Sequence, residues 1–339
     1  MPLLTSLSTS YWPPLLARAR ARVSAGELPP FLPKEVERIK DRELIELAKR
    51  IERVPVKIDS VKSPIMSSCI KPVCQSSNAA VVLLHGFDSS CLEWRYTYPL
   101  LEEAGVETWA IDILGWGFSN LETLPPCDVS TKREHLYQLW KSHIKKPVVL
   151  VGASLGAAVA IDFAAKYPEA VSKLVFIGAC VYAKGTGNMT KLPKFIAYAG
   201  VNVLKILPLR LYATKLAFNK VPKGSLLDFT RVGQLHCHLP WWEDATVCFM
   251  TNGGYNVVNL IKQVKHKTLI IWGEDDRIIN KEFATKLCND IQDSELCLVP
   301  NCGHIPHVEK PEKVTELILS FLARDNVISE QLRRFSVVF

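Results

Sequence analysis

PVVLVGASLGAAVAI, residues 147–161, is the stretch on which the fold turns. Pro147 to Val151 is a short continuous apolar run, the pattern of a strand covered on both faces of a sheet. Gly152-Ala153-Ser154-Leu155-Gly156 follows at once and matches G-x-S-x-G. Small, apolar residues then run on in helical fashion until Asp162. The small residues permit a strained turn that lifts the serine hydroxyl out of the sheet. The helix N-terminus behind it favours negative charge developing during attack. In this strand–turn–helix frame Ser154 reads as a nucleophile. As a membrane span the segment is too short and too interrupted by glycine.

Outward from this point, strand and helix patterns alternate. Strands are expected at Val54–Ile58, Ile65–Ile70, Ala79–Leu84, Glu107–Ile113, Leu174–Ile177, Thr268–Trp272 and Glu295–Val299. Helical spacing covers Leu92–Ala104, Ser130–Ile144, Leu155–Tyr167, Lys281–Ile291 and Glu309–Leu322. Such alternation predicts an α/β class with a mostly parallel sheet. Residues 179–266 break it with helical segments such as Lys194–Leu207 and a Trp/His-rich patch, His236–Trp242. A structureless loop of that length is implausible, so the interval reads as an inserted helical cap. The expected organisation is a transit peptide over 1–26 and an N-terminal linker and helix over 27–53. A core over 54–178 and 267–325 follows, with the cap at 179–266 and a tail at 326–339.

Composition limits the alternatives. Of 339 residues, 48% are hydrophobic and 22% charged, which excludes a mostly disordered chain. The net charge is +7, and the acid-free first 26 residues hold Arg18, Arg20 and Arg22, so the remainder carries +7 − 3 = +4. No dense basic stripe with interleaved aromatics appears, and nucleic-acid binding is not expected. That leader, rich in serine and threonine with late arginines, has the composition of an organelle transit peptide, chloroplast ahead of mitochondrion. The ten cysteines are scattered without a CxxC pair and read as free thiols. His236-Cys237-His238 has no second ligand cluster, so no metal and no cofactor are expected.

Further motifs stand in order along the chain. His85-Gly86-Phe87 follows one strand, Asp112-Ile113-Leu114-Gly115-Trp116-Gly117-Phe118-Ser119 follows the next, and Trp272-Gly273-Glu274-Asp275-Asp276 and Cys302-Gly303-His304 close the series with Glu309 and Pro311. With G-x-S-x-G these resemble the α/β-hydrolase fold, and in particular plant chloroplast α/β-hydrolases, from Val54 to about Leu322. The resemblance implies a Ser154–Asp276–His304 triad. Family spacing from Gly273 selects Asp276 over its neighbour Asp275. It also implies an oxyanion hole from the backbone N–H groups of Phe87 and Leu155. His307 reads as a surface or supporting histidine and His85 as a brace for the loop. Trp116, Trp241 and Trp242 are candidates for the substrate pocket, with core or cap packing the alternative.

A serine at the elbow points to acyl transfer to water on an ester, thioester or lipid. Carbon–carbon bond hydrolases that resemble this pattern keep the same three residues, and small-molecule receptors on this fold are a further alternative. The uncharged run Phe195–Leu204 between Lys194 and Lys205 reads either as an ordinary cap helix that packs on the core and roofs an apolar pocket, or as a surface for peripheral membrane association with a lipid-like substrate.

Overall fold

The computed structural model describes residues 26–75 and 79–336, with side chains to residue 324. The leader expected over 1–26 lies outside the described residues except for Gly26. The elements run α1 (Arg42–Ala48), β1 (Ile51–Val56), β2 (Ile65–Ile70), β3 (Ala80–Leu84), α2 (Thr97–Glu103), β4 (Thr108–Ile111), α3 (Val129–Leu139), β5 (Val148–Ala153), α4 (Leu155–Lys166) and β6 (Val171–Ile177). Helices α5 (Lys194–Val203), α6 (Leu207–Ala217), α7 (Leu226–Gln234), α8 (Trp242–Thr251) and α9 (Val258–Ile261) come next. The chain then returns to the sheet through β7 (Thr268–Gly273), α10 (Glu282–Asp290) and β8 (Ser294–Val299), and closes with α11 (Pro306–Glu309) and α12 (Pro311–Ser336).

The sheet has eight strands in the order β1-β2-β4-β3-β5-β6-β7-β8. Only β2 runs against its neighbours; β4 to β8 and β3 are parallel. Apolar residues of both parities have a cause here. Val82, Leu84 and Leu150 enter the core on one face with α4 and α10. Val81, Leu83, Val149 and Val151 enter the opposite core with α12. Each such fully buried side chain is worth about 1.5–3 kcal/mol.

Two expected boundaries move. The first strand begins at Ile51, inside the stretch read as linker and helix, because the helical turns end at Ala48 and Ile51 pairs with Ile70. Ile51 is buried in the lower core, and this burial outweighs its helical spacing with Leu47. At the other end α12 continues through the residue 325/326 boundary, since no glycine or proline interrupts it from Glu312 to Ser336.

Candidate active site

The elbow at the top of β5 has the strain its sequence implies. Ser154 sits at φ 50, ψ −112, between the last residue of β5 and the first of α4. Its N–H donates to the Ile177 carbonyl at 2.8 Å, and its own carbonyl accepts from Cys180 N–H at 3.0 Å. Both flanking glycines are sterically required. A Cβ on Gly152 would come within 2.4 Å of the Gly156 backbone, and one on Gly156 within 2.4 Å of the Leu84 carbonyl oxygen. The turn is therefore clamped by β3 and β6 on either side.

Two segments distant in sequence complete the arrangement. His304 Nε2 lies 3.1 Å from Ser154 Oγ, and its Nδ1 lies 2.8 Å from Asp276 Oδ2. The carboxylate accepts the Nδ1–H hydrogen bond, so Nε2 is left to accept from the serine hydroxyl. The other oxygen of Asp276 accepts the N–H groups of Ile278 and Ile279 at 2.8 and 2.9 Å, which locks its rotamer. Asp275 is exposed and anchors only its backbone, to the Cys302 carbonyl. Of the adjacent pair, Asp276 is the one aimed at the imidazole.

The cap reaches into the same machinery. His304 N–H donates to the Ala217 carbonyl at the end of α6 at 2.7 Å. Glu309 gathers three backbone N–H groups, those of Gly303, Asn219 and Lys220, at 2.8–3.0 Å. Arg277 donates to the Phe218 carbonyl at 2.5 Å. The glutamate of the terminal motif thus ties the loop bearing His304 to the cap.

Phe87 and Leu155, the expected N–H donors to an oxyanion, both line a cleft of about 290 Å³. Gly86 stands beside the serine, since a Cβ on it would lie 3.5 Å from Ser154 Cβ. Its N–H donates to Glu93 Oε2 at 3.1 Å, while Glu93 Oε1 meets His307 Nε2 at 2.8 Å. Burial pushes the Glu93 carboxyl up, but the His307 hydrogen bond and charge outweigh that and hold it at about 2. His307 is accordingly a buried support against Trp94, not a surface residue. Sequence reading missed Glu93; nothing in its spacing from Gly86 marks it. His85 braces the loop by accepting Ile113 N–H at Nε2 and donating to the Gly86 carbonyl from Nδ1, and burial pushes its pKa down.

The rest of the cleft is lined by Cys180, Met189, Phe249, Met250 and Tyr255. Trp116 stands behind this wall, 5.2 Å from the Phe87 ring and 5.0 Å from the Phe249 ring. Beneath Trp116, Lys132 Nζ lies 4.1 Å from its ring and donates to the Leu114 carbonyl; burial pushes this ammonium down to about 8. None of Trp116, Trp241 and Trp242 is among the cleft-lining residues, so the packing alternative describes all three. Trp242 is spent on another task.

That task is Asp88, next to Phe87. Asp88 Oδ1 accepts Trp242 Nε1–H at 2.7 Å and His236 Nε2–H at 2.9 Å, and Oδ2 accepts from Arg210. The three donors come from the cap at separations of 122 to 154 residues. Burial pushes His236 down, but Cys237 and Asp88 beside it prevail and hold it up at about 10. The surrounding charges likewise overcome burial to lower Asp88. Asp88, His236 and Cys237 lie close enough to share a cation. The Arg210 guanidinium supplies that charge, 3.0 Å from the Cys237 sulfur, and the motif's third residue, His238, points away to exposed surface near Glu35. The cluster is a charged anchor between cap and oxyanion loop. The ten cysteines are all free.

Comparison with known proteins agrees with this architecture. The profile of the alpha/beta hydrolase family matches residues 81–317. An Arabidopsis thaliana relative, the alpha/beta hydrolase domain-containing protein VTE7, is 54% identical over 314 residues, covering 91% of this chain and 95% of its own. An Escherichia coli 2-hydroxy-6-oxononadienedioate/2-hydroxy-6-oxononatrienedioate hydrolase is 27% identical over 268 residues, covering 74% and 89%. Among solved structures, a thermophilic esterase from Thermogutta terrifontis superposes with a TM-score of 0.67 at 18% identity, covering 80% of this chain and 98% of that one. The last likeness is one of fold.

Proposed function

The chain belongs to the α/β-hydrolase family, and from that premise we propose that it is a serine hydrolase acting on an ester or thioester of an apolar molecule. The carrying observation is the Ser154–His304–Asp276 relay, with both contacts at hydrogen-bond length. Ser154 Oγ attacks the carbonyl carbon as its proton passes to His304 Nε2. Asp276 stabilises the imidazolium. The oxyanion is met by the N–H groups of Phe87 and Leu155. Collapse expels the alcohol or thiol, which takes the proton from His304 and leaves an acyl group on Ser154. Water, deprotonated by the same histidine, then releases the acid.

The cleft speaks for an apolar acyl or alcohol group. Its lining is mostly aromatic, aliphatic or thioether, with Thr186, Cys180 and the Tyr255 hydroxyl its polar groups, and no charged side chain. A dioate, the kind of substrate named for the Escherichia coli relative, carries two carboxylates and requires cationic partners. Arg210 is committed to Asp88, and Lys132 lies behind Trp116. This favours ester over carbon–carbon cleavage. The leader's composition and the plant relative support a plastid address, with mitochondrion the alternative.

The test is fluorophosphonate labelling of the protein with Ser154→Ala as control, followed by an ester chain-length panel. Labelling that requires Ser154, with turnover rising on apolar acyl chains, is expected. Labelling without turnover on any ester would overturn ester hydrolysis in favour of a carbon–carbon hydrolase or a receptor.

A further inference from the structure

Helices α5 and α6 present an apolar surface that the fold leaves uncovered. In α5 only Ala197 and Val201 are buried, and α6 buries no residue at all. Phe195 is 72% exposed, Tyr212 61%, and Ile206, Val203, Ile196 and Leu207 between 39% and 49%. Ala197 and Val201 form the buried side of α5, and on the flank between them and Phe195 Tyr198 Oη donates to Asp244 at 2.7 Å and Asn202 bonds to Glu243, both on α8. That pinning turns the apolar side outward. The two helices meet at a 64° bend, and no single described helix is long and apolar enough to cross a bilayer.

Charge identifies the occupant. From Val181 to Leu227 the chain carries eight basic residues and no acidic one. Lys191, Lys194, Lys215, Lys220 and Lys223 are exposed within it. Apart from the α8 carboxylates Glu243 and Asp244, which α5 engages through Asn202 and Tyr198, the apolar corner is rimmed by lysines, the complement of an anionic lipid surface, where acyl chains receive the aromatics and headgroups pair with the lysines. A second copy of the chain would bring the same positive charge against itself and meet repulsion.

The cleft opens on the same side in sequence. The turn Gly187–Lys191, immediately before α5, contributes Met189 to its lining, and Thr186 precedes it. We propose that the α5–α6 corner docks the protein on an anionic bilayer, with Phe195, Val203, Ile206 and Leu207 entering the acyl boundary and Lys191, Lys194 and Lys215 engaging headgroups. Substrate then reaches the cleft from the membrane, a consequence that rests on the hydrolase reading; the docking itself does not.

The experiment is co-sedimentation of the full chain with vesicles of phosphatidylcholine alone and of phosphatidylcholine mixed with phosphatidylglycerol. Binding is expected to the mixed vesicles and to weaken with salt. The triple variant Lys191→Glu, Lys194→Glu, Lys215→Glu should lower the partition coefficient about 100-fold or more, at roughly fivefold for each of the three positive charges removed. Phe195→Asp with Ile206→Asp should lower it about tenfold as well through lost insertion. The control Lys57→Glu, Lys62→Glu, Lys145→Glu, on the sheet domain, retains the leader and alters net charge equally, and should change it less than about threefold. Equal losses in lid and control triples, or no vesicle binding by the parent, would overturn the proposal. So would a parent that sediments as a dimer and becomes monomeric in Phe195→Asp. Thermal melting and fluorophosphonate labelling of each variant report an intact fold. Vesicle binding without labelling refutes the hydrolase reading alone, and labelling without vesicle binding refutes the docking alone.

Discussion

Strand β5 runs into Ser154 and helix α6 ends on the backbone of His304, and both are written mainly in apolar residues, yet every residue of β5 is buried and none of α6 is. The strand is enclosed by β3, β6 and helices on both faces, so its geometry is over-determined and can hold a serine in strained backbone. The cap sends Val201, Trp242, Val247 and Phe249 into the core and adds polar anchors: Asp88 to three donors, Glu309 to three N–H groups, and Arg277 to the Phe218 carbonyl. Rigidity is thus concentrated beneath the reacting atoms. The outer helix α6 is left to the polar contacts at its ends.

The sharpest way to break this contrast is at the elbow itself. Ser154→Ala should lower ester kcat/KM by about 10^5-fold while leaving the melting temperature within a degree or so, and Asp276→Asn should cost about 10^4-fold. Asp275→Asn should stay within about threefold in the same assay, because only its backbone is engaged. Equal losses at 275 and 276 would sink the assignment of roles. Gly156→Val tests over-determination directly. Its Cβ meets the Leu84 carbonyl, and denaturant unfolding should show a loss of about 3 kcal/mol or more.

Next in size are the cap anchors. Asp88→Asn keeps a side chain that tolerates the positive φ of 51 but removes the charge, leaving Arg210 and His236 buried without it. Unfolding free energy should fall by about 3 kcal/mol, with faster amide exchange in α7 and α8 than in β5. The pH dependence has a definite sign. His236 is raised to about 10 in the folded state, from 6.5. Its charge-linked stability is therefore full below pH 6.5 and lost as pH rises through about 10. A melting-temperature gap between parent and His236→Gln that narrows over that window is expected; a gap that widens would refute the ion pair.

Glu93 behaves in the opposite sense. Held at about 2 against an ordinary 4.5, it contributes stability above pH 4.5 that disappears as pH falls through about 2. Acid titration of parent against Glu93→Gln should show the two converge. The smallest effect is at the cap surface, where Phe195→Ser should change unfolding free energy by no more than about 0.5 kcal/mol, since the ring is exposed. A large loss there would mean that the α5–α6 corner is packed after all.

Much of the molecule was legible beforehand because its signals are local. The apolar runs and the glycines that only a tight elbow needs each lie within a few residues, and eight strands and Ser154 follow from them, while the choice of Asp276 and His304 rested on the family's motif spacing. Element ends were less legible. Ile51 fits a helical face as well as a strand, and only pairing with Ile70 decides. The supporting shell was not legible: Glu93 reaches His307 across 214 residues and Asp88 reaches Trp242 across 154.

What the sequence determined by itself was the order of strands and helices and the elbow, because sterics and periodicity act over short windows; Asp276 and His304 came from the resemblance of their motifs to the family's. Only the tertiary structure decided which tryptophan buttresses the cleft and which anchors the cap, that His307 is buried on Glu93, and that the apolar side of α5 and α6 faces outward. Those outcomes depend on which of several equally apolar or polar partners arrive first-hand in space, and composition alone does not distinguish a side chain buried by its neighbours from one left for a surface that the chain does not itself supply.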